Sequence, residues 1–154
     1  MKVEEALRNN LDNETLNDAL SFVDYLEAKG LRPVFEQDNK VHFVKNDKSP
    51  CMIIFDKNDD NIGEWYISDL PVVSEPEWEF INRDYKDFMV KYIKICSVHE
   101  GGSCSCGNEP GQSIDIFGKT YKNVCKSIIQ FTNPDNDIAS KLKNIINWWS
   151  INVL

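Results

Sequence analysis

Residues 41–56 decide the fold class, and they read VHFVKNDKSPCMIIFD. Val41 to Lys45 and Met52 to Asp56 are rich in Val, Ile and Phe, which favour β-strands, and the polar segment Asn46 to Pro50 separates them. Such a short connection joins antiparallel neighbours, because parallel strands need a crossover of about a dozen residues or more. This stretch therefore predicts the centre of an antiparallel β-meander.

Two further strands are predicted beside this centre. Arg32 to Glu36 precedes it and Glu64 to Ser68 follows it, with turn residues at Gln37 to Asn39 and Lys57 to Gly63. The meander is thus expected to contain about four strands. Cys51 stands among apolar strand residues, where a lone cysteine is usually a small core side chain.

Helical patterns flank the meander. Apolar side chains recur at helical spacing in residues 14–29, and Gly30 is expected to end that helix. A second helix is predicted over residues 77–95. Asn133 is expected to be the N-cap of a C-terminal helix, with Pro134 at its first position.

The expected fold class is α+β. In chain order we expect an N-terminal helix, an antiparallel β-meander, a helix, a cysteine loop, a short hairpin and a C-terminal helix. The hairpin strands are predicted at Ser113 to Phe117 and Tyr121 to Cys125, with the turn at Gly118-Lys119 and a further short strand at Ile128 to Phe131.

The length of 154 residues predicts a single domain over residues 1–154. A soft boundary is expected at residues 97–112, where Gly, Ser and Cys dominate. Residues 96–154 would then form a cysteine-containing C-terminal element.

Charge and composition restrict the function classes. The net charge of −8 disfavours nucleic acid as a partner, because such a chain repels phosphate backbones. No apolar run is long enough for a signal peptide or a membrane span. We therefore expect a cytoplasmic protein without a membrane partner, in a compartment that keeps thiols reduced.

Four cysteines and a histidine cluster in the last third of the chain, with the spacing C-x₂-H-x₄-C-x-C-x₁₈-C. Thiolates and imidazole are the ligands of a closed tetrahedral zinc site, and a glycine-rich loop can bring them together. The sequence therefore predicts a structural zinc ion. The candidate metal ligands are Cys96, Cys104, Cys106, Cys125 and His99.

Two other interpretations of the same residues stay open. Cys104 and Cys106 flank one serine, and such a pair can cycle between dithiol and disulfide in a thiol redox enzyme or sensor. Alternatively, the chain is an interaction domain that uses neither metal nor chemistry. No pattern marks a catalytic residue: His42 lies in a strand, and we expect it to be surface-facing or hydrogen-bonded.

The stretch IFGKTYKNVC, residues 116–125, follows the cysteine loop and is itself followed by FTNPD at residues 131–135. In these features the segment from residue 96 onward resembles small uncharacterised bacterial proteins that carry a cysteine-bearing loop. The resemblance implies no activity. The leading hypothesis is therefore a non-enzymatic binding or regulatory protein with a structural zinc, whose partner is a protein or a small molecule; its oligomeric state is open.

Overall fold

The structure is a computed structural model, and it describes most of the chain. The described residues are 2–57, 63–68, 70, 83–96 and 111–152, without the side chains of residues 13, 126 and 127. They form four helices and seven strands, so the predicted α+β class is confirmed. Within this part of the chain no helix has the length and apolar character needed to cross a membrane.

The helices and strands follow one another along the chain in a mixed order. The helices are α1 (Val3–Asn10), α2 (Asn13–Ala28), α3 (Arg83–Val90) and α4 (Asn136–Asn152). The strands are β1 (Arg32–Gln37), β2 (Lys40–Lys45), β3 (Lys48–Lys57), β4 (Gly63–Ser68), β5 (Ile93–Ile95), β6 (Gln112–Ile116) and β7 (Lys119–Thr132). The chain divides into two compact units: unit 1 comprises residues 1–68 and 131–154, and unit 2 comprises residues 69–130.

Unit 1 contains the antiparallel meander β1-β2-β3-β4. Phe43 lies opposite Cys51, and Phe55 lies opposite Trp65. Alternate residues are buried in β2 and along most of β4, which is the period-two pattern of a sheet with one face in the core. Cys51 is fully buried, so its predicted place in the core is confirmed.

Three helices supply much of the rest of the core of unit 1. Helices α1, α2 and α4 contact the strands of the meander, and α2 also contacts α1 and α4. The ring of Phe22 on α2 packs at a tilt against Trp65, with 5.8 Å between ring centroids. The buried helix side chains are Val3, Ala6, Leu7, Ala19, Phe22, Val23, Leu26, Leu142, Ile145, Ile146 and Trp149.

Helix α2 ends as the sequence predicts. Gly30 has a φ of 78°, which glycine adopts without steric cost. The N–H of Gly30 donates to the carbonyl of Glu27, and the N–H of Leu31 donates to that of Leu26. These two bonds form a Schellman motif, which satisfies carbonyls that the end of the helix would otherwise leave unpaired.

The described residues contain seven strands, more than the about four predicted for the meander, and the strand layout differs from the prediction in three places. First, β3 begins at Lys48, within the segment Asn46 to Pro50 for which the sequence predicts a turn. Asn46 and Asp47 alone make the turn, both with positive φ. A register shift between Phe43 and Lys45 leaves an extra residue on β3, and a bulge of this kind accommodates Pro50, which has no N–H to donate.

Second, the predicted helix over residues 77–95 ends earlier in the structure. Helix α3 spans Arg83–Val90, and Ile93–Ile95 forms β5 instead. Isoleucine fits a strand at least as well as a helix, and pairing with β7 decides between them. Residues 77–82 lie outside the described part of the chain.

Third, the strands predicted near residues 121–131 form one long strand, β7, which belongs mostly to unit 2. Strand β6 pairs with β7 as the predicted hairpin, but the turn is at Phe117-Gly118, one residue earlier than expected. Strand β5 pairs antiparallel with β7 as well.

Helix α4 begins later than the sequence predicts. Its N-cap is Asp135, whose Oδ1 accepts a hydrogen bond from the N–H of Ile138 at 2.9 Å. The expected cap, Asn133, bonds instead with β4: its N–H donates to Trp65 O, and its Oδ1 accepts from Trp65 N–H. The prediction for Asn133 is therefore wrong, because an asparagine side chain can hydrogen-bond to the backbone of a strand as well as to the first turn of a helix.

Candidate metal centre

Two of the predicted metal ligands, Cys96 and Cys125, lie close to one cross-strand pair of unit 2. Ile95 of β5 is the partner of Val124 of β7, and each cysteine directly follows one member of this pair. Both cysteines are buried, with 1% and 2% of their surface exposed. In a regular antiparallel ladder such diagonal positions are about 7–8 Å apart, a span that two thiolates can bridge by sharing one ion at about 2.3 Å each, although the register of β5 against β7 shifts between Ile93 and Ile95.

Asn123 connects the backbone of β7 to that of Cys96. Its φ of 57° lies in the left-handed region, which asparagine tolerates better than most residues. Its carbonyl accepts a hydrogen bond from the N–H of Cys96 at 2.6 Å. The backbone of Cys96 is therefore attached to β7 two residues before Cys125.

Gly111, at the other end of the segment that begins after Cys96, also lies close to the backbone of Asn123. A Cβ built on Gly111 would lie 2.6 Å from the carbonyl oxygen and 2.7 Å from the Cα of Asn123, and closer still to its carbonyl carbon. Only glycine allows two backbones to approach this closely. The chain segment between Cys96 and Gly111 thus leaves and returns at one residue of β7.

His99, Cys104 and Cys106, the other predicted metal ligands, lie outside the described residues. Among the residues that the structure describes, no three His, Cys, Asp or Glu side chains are placed so that they could hold a metal ion. The predicted site therefore stays a prediction. What the described part contributes is the position of two of its cysteines and of both ends of the segment that carries the rest.

Cys51 belongs to unit 1, whereas Cys96 and Cys125 belong to unit 2. It lies in β3 of unit 1, opposite Phe43, and is fully buried in the core there. It is a cysteine without a predicted role in metal binding.

Two polar pairs on the meander of unit 1 contain groups with acid–base chemistry. His42 Nε2 lies 3.1 Å from Glu36 Oε2, which agrees with the expectation of a hydrogen-bonded strand histidine. Tyr66 donates its phenolic hydrogen to Glu64 Oε2 at 2.5 Å. Burial of the phenol, followed by this bond to Glu64, raises the pKa of Tyr66 to about 12.

A phenol with so high a pKa is a poor proton donor and a worse nucleophile near neutral pH, because its anion is scarcely populated. The imidazole of His42 is bonded to a carboxylate rather than to a serine, threonine or cysteine that it could activate. These two pairs therefore have the geometry of structural contacts between side chains of the sheet.

Sequence reasoning missed two residues at the candidate metal centre, Asn123 and Gly111. Gly111 belongs to the glycine-rich segment that is expected to fold tightly, but nothing in the sequence indicates which backbone it contacts. The left-handed φ of Asn123 inside a strand has only a weak sequence signal, since asparagine also occurs in ordinary strands.

The comparisons with known proteins add no assignment. Searches of protein families, of curated proteins and of solved structures each find no match to this chain. The chemistry and placement of this chain's own residues are therefore the basis for assigning a function.

Proposed function

We propose that this chain is a non-enzymatic binding or regulatory protein in which a structural zinc ion stabilises unit 2. Its partner is a protein or a small molecule, and the cytoplasm is the expected compartment, since zinc thiolates need reduced cysteines. The proposed ligands are Cys96, Cys104, Cys106 and Cys125, with His99 as the substitute for one of them.

The placement of Cys96 and Cys125 around one cross-strand pair is the observation that carries this proposal. Cys104 and Cys106 belong to the segment whose two ends meet at Asn123, two residues from Cys125. A segment closed at its base has a restricted reach, which favours an encounter between its thiols and the two buried ones.

The burial of Cys96 and Cys125 favours a structural rather than a catalytic ion. A catalytic zinc keeps one coordination position open to water or substrate, whereas four protein ligands close the site. Two ligands with almost no solvent exposure suit a closed site. Among the described polar pairs, neither His42 with Glu36 nor Tyr66 with Glu64 offers an activated nucleophile.

The size of unit 2 also supports a structural ion. Unit 2 spans residues 69–130, and below about 70–80 residues a single apolar core rarely supplies more than about 3–5 kcal/mol. A structural metal is a common supplement in units of this size. Its described buried side chains are Leu70, Phe88, Met89, Cys96, Ile116, Val124, Cys125 and Ile129.

Elemental analysis of protein purified without chelator, combined with a count of reactive thiols, tests the proposal. We expect about one zinc ion per chain, with the cluster thiols unreactive until a chelator is added. Cys125→Ala should lose the ion. Cys51→Ala is the matched control: it removes an equally buried thiol from unit 1 and should retain the ion.

The opposite result has a clear meaning. A chain without metal whose thiols react at once would refute the structural zinc site. A reversible disulfide in that protein would favour the redox interpretation of Cys104 and Cys106, and the absence of both metal and disulfide would favour a metal-free interaction domain.

A further inference from the structure

The geometry at Asn123 supports one inference that rests on the proposed zinc site. We infer that Asn123 and Gly111 are positioning residues for the metal centre. Together with the backbone N–H of Cys96 they form what we term the backbone clasp: Cys96, Gly111 and Asn123. The clasp sets where the cysteine-bearing segment starts and ends relative to Cys125.

The first half of the clasp is a hydrogen bond. Cys96 N–H donates to Asn123 O at 2.6 Å, a short bond between two backbone groups. The carbonyl of Asn123 points toward Cys96 while the residue has a φ of 57°. A residue that disfavours this conformation would turn the peptide plane and weaken the bond.

The second half is a backbone contact that requires glycine. The three heavy atoms nearest to a Cβ at Gly111 would all be backbone atoms of Asn123, each well inside 3 Å. Backbone atoms cannot move aside as the end of a flexible side chain can. Any side chain at residue 111 therefore separates the two backbones.

The clasp lowers the entropic cost of metal binding. An unclosed chain must bring its ends together and arrange its ligands at the same time, and loop closure alone opposes this. With both ends attached at Asn123, part of the cost of loop closure is already met before an ion binds. Cys96 is then held in place through its own backbone before an ion arrives.

Gly111→Ala tests the inference, with Gly118→Ala as the matched control. Gly118 is in the turn of the same hairpin and has a φ of 79°, and no atom lies within 4 Å of a Cβ added there, so its substitution strains the turn without touching the clasp. Zinc affinity is measured by competition with a chromophoric chelator. We expect roughly tenfold or greater weakening in Gly111→Ala, as for changes around metal ligands, and unchanged affinity in Gly118→Ala.

A second pair of variants covers the case in which Gly111→Ala fails to fold. Asn123→Gly keeps the carbonyl acceptor and accepts the left-handed φ, whereas Asn123→Val places a β-branched residue there. Zinc affinity should be retained in the first and weakened in the second. The absorption spectrum of bound Co²⁺ should report four-coordinate thiolate ligation in Asn123→Gly and an altered ligand field in Asn123→Val.

The outcomes separate this inference from the proposed function. If the unmodified protein binds zinc and both Gly111→Ala and Asn123→Val bind it equally well, the clasp has no positioning role while the zinc site stands. If the unmodified protein binds no zinc, the proposed site and the clasp inference both fall. Weakening confined to Gly111→Ala and Asn123→Val supports the clasp.

Discussion

Asn133 attaches to the buried strand β4 through two hydrogen bonds, and we predict that removing its side-chain amide destabilises unit 1. Its N–H donates to Trp65 O at 2.8 Å, and its Oδ1 accepts from Trp65 N–H at 2.9 Å. Only the second bond depends on the side chain. Trp65 is 1% exposed whereas Asn133 itself is exposed, so water replaces the lost acceptor only in part.

The expected magnitude has two parts. A buried donor left without its acceptor costs about 1–3 kcal/mol. The φ of Asn133 is 41°, and a left-handed conformation costs alanine about 1–2 kcal/mol but costs glycine almost nothing. We expect the free energy of unfolding to fall by about 1–3 kcal/mol in Asn133→Gly and by about 2–5 kcal/mol in Asn133→Ala. Asn133→Asp keeps an oxygen acceptor and should change it by less than about 0.5 kcal/mol.

Urea unfolding followed by tryptophan fluorescence measures these differences. With a slope of about 2 kcal/mol per molar urea, a loss of about 2 kcal/mol moves the midpoint by roughly 1 M. The midpoint should be highest for Asn133→Asp, lower for Asn133→Gly and lowest for Asn133→Ala. If Asn133→Gly unfolds at the same urea concentration as Asn133→Asp, the bond to the Trp65 amide contributes nothing and the reasoning is refuted.

Two further predictions concern close packing and pH. A Cβ on Gly63 would overlap with Asn10 O and lie 2.8 Å from Leu11 Cα, so Gly63→Ala should lower the free energy of unfolding by about 3 kcal/mol in the same assay. Gly30→Ala, which strains a left-handed φ without a close contact, should lower it by about 1–2 kcal/mol. Equal losses in the two variants would argue against the close contact at Gly63. Burial and the bond to Glu64 raise the pKa of Tyr66 from 10.0 to about 12, so an ultraviolet titration should show a phenol ionising near pH 12 that is missing in Tyr66→Phe. Because the folded pKa is the higher one, the contribution of the neutral phenol to stability is complete below pH 10 and is lost as the pH rises through about 12; a Tyr66 that ionises near pH 10 would contradict this.

Much of unit 1 could be predicted from the sequence, because its patterns are local. The apolar period of α2 and the stop at Gly30 follow from the helix itself, and the structure gives Asn13–Ala28 for the predicted 14–29. The alternation in β2 and β4 reflects one buried face, which a single sequence displays directly. The place of Phe22 beside Trp65 is not visible in this way, because it depends on how α2 packs on the sheet.

The differences arise where distant residues decide the local conformation. Pro50 indicates a break in a strand, but a bulge in the ladder between β2 and β3 removes the need for its N–H. Asn133 has a side chain that can cap a helix, but in the structure its Oδ1 accepts a hydrogen bond from the N–H of Trp65 instead. In neither case does the neighbouring sequence contain the partner that settles the outcome.

For the candidate metal centre, too, some features follow from local sequence and others depend on distant residues. Residue type and spacing are enough to nominate Cys96 and Cys125, since thiol clusters are visible in sequence. That both follow one cross-strand pair depends on the register of β5 against β7, which is irregular and could not be read from the sequence. The contact between Gly111 and Asn123 likewise joins residues whose approach no local pattern indicates.

The division of the chain into units has a consequence for synthesis on the ribosome. Unit 1 is discontinuous: its first part ends at residue 68 and its second begins at residue 131, with all of unit 2 between them. During translation at about 5–20 residues per second, the meander emerges several seconds before α4, whose Leu142, Ile145 and Ile146 complete its core. Unit 2 is therefore synthesised in full while the hydrophobic face of unit 1 is still incomplete, and the nascent chain is most exposed to aggregation in that interval.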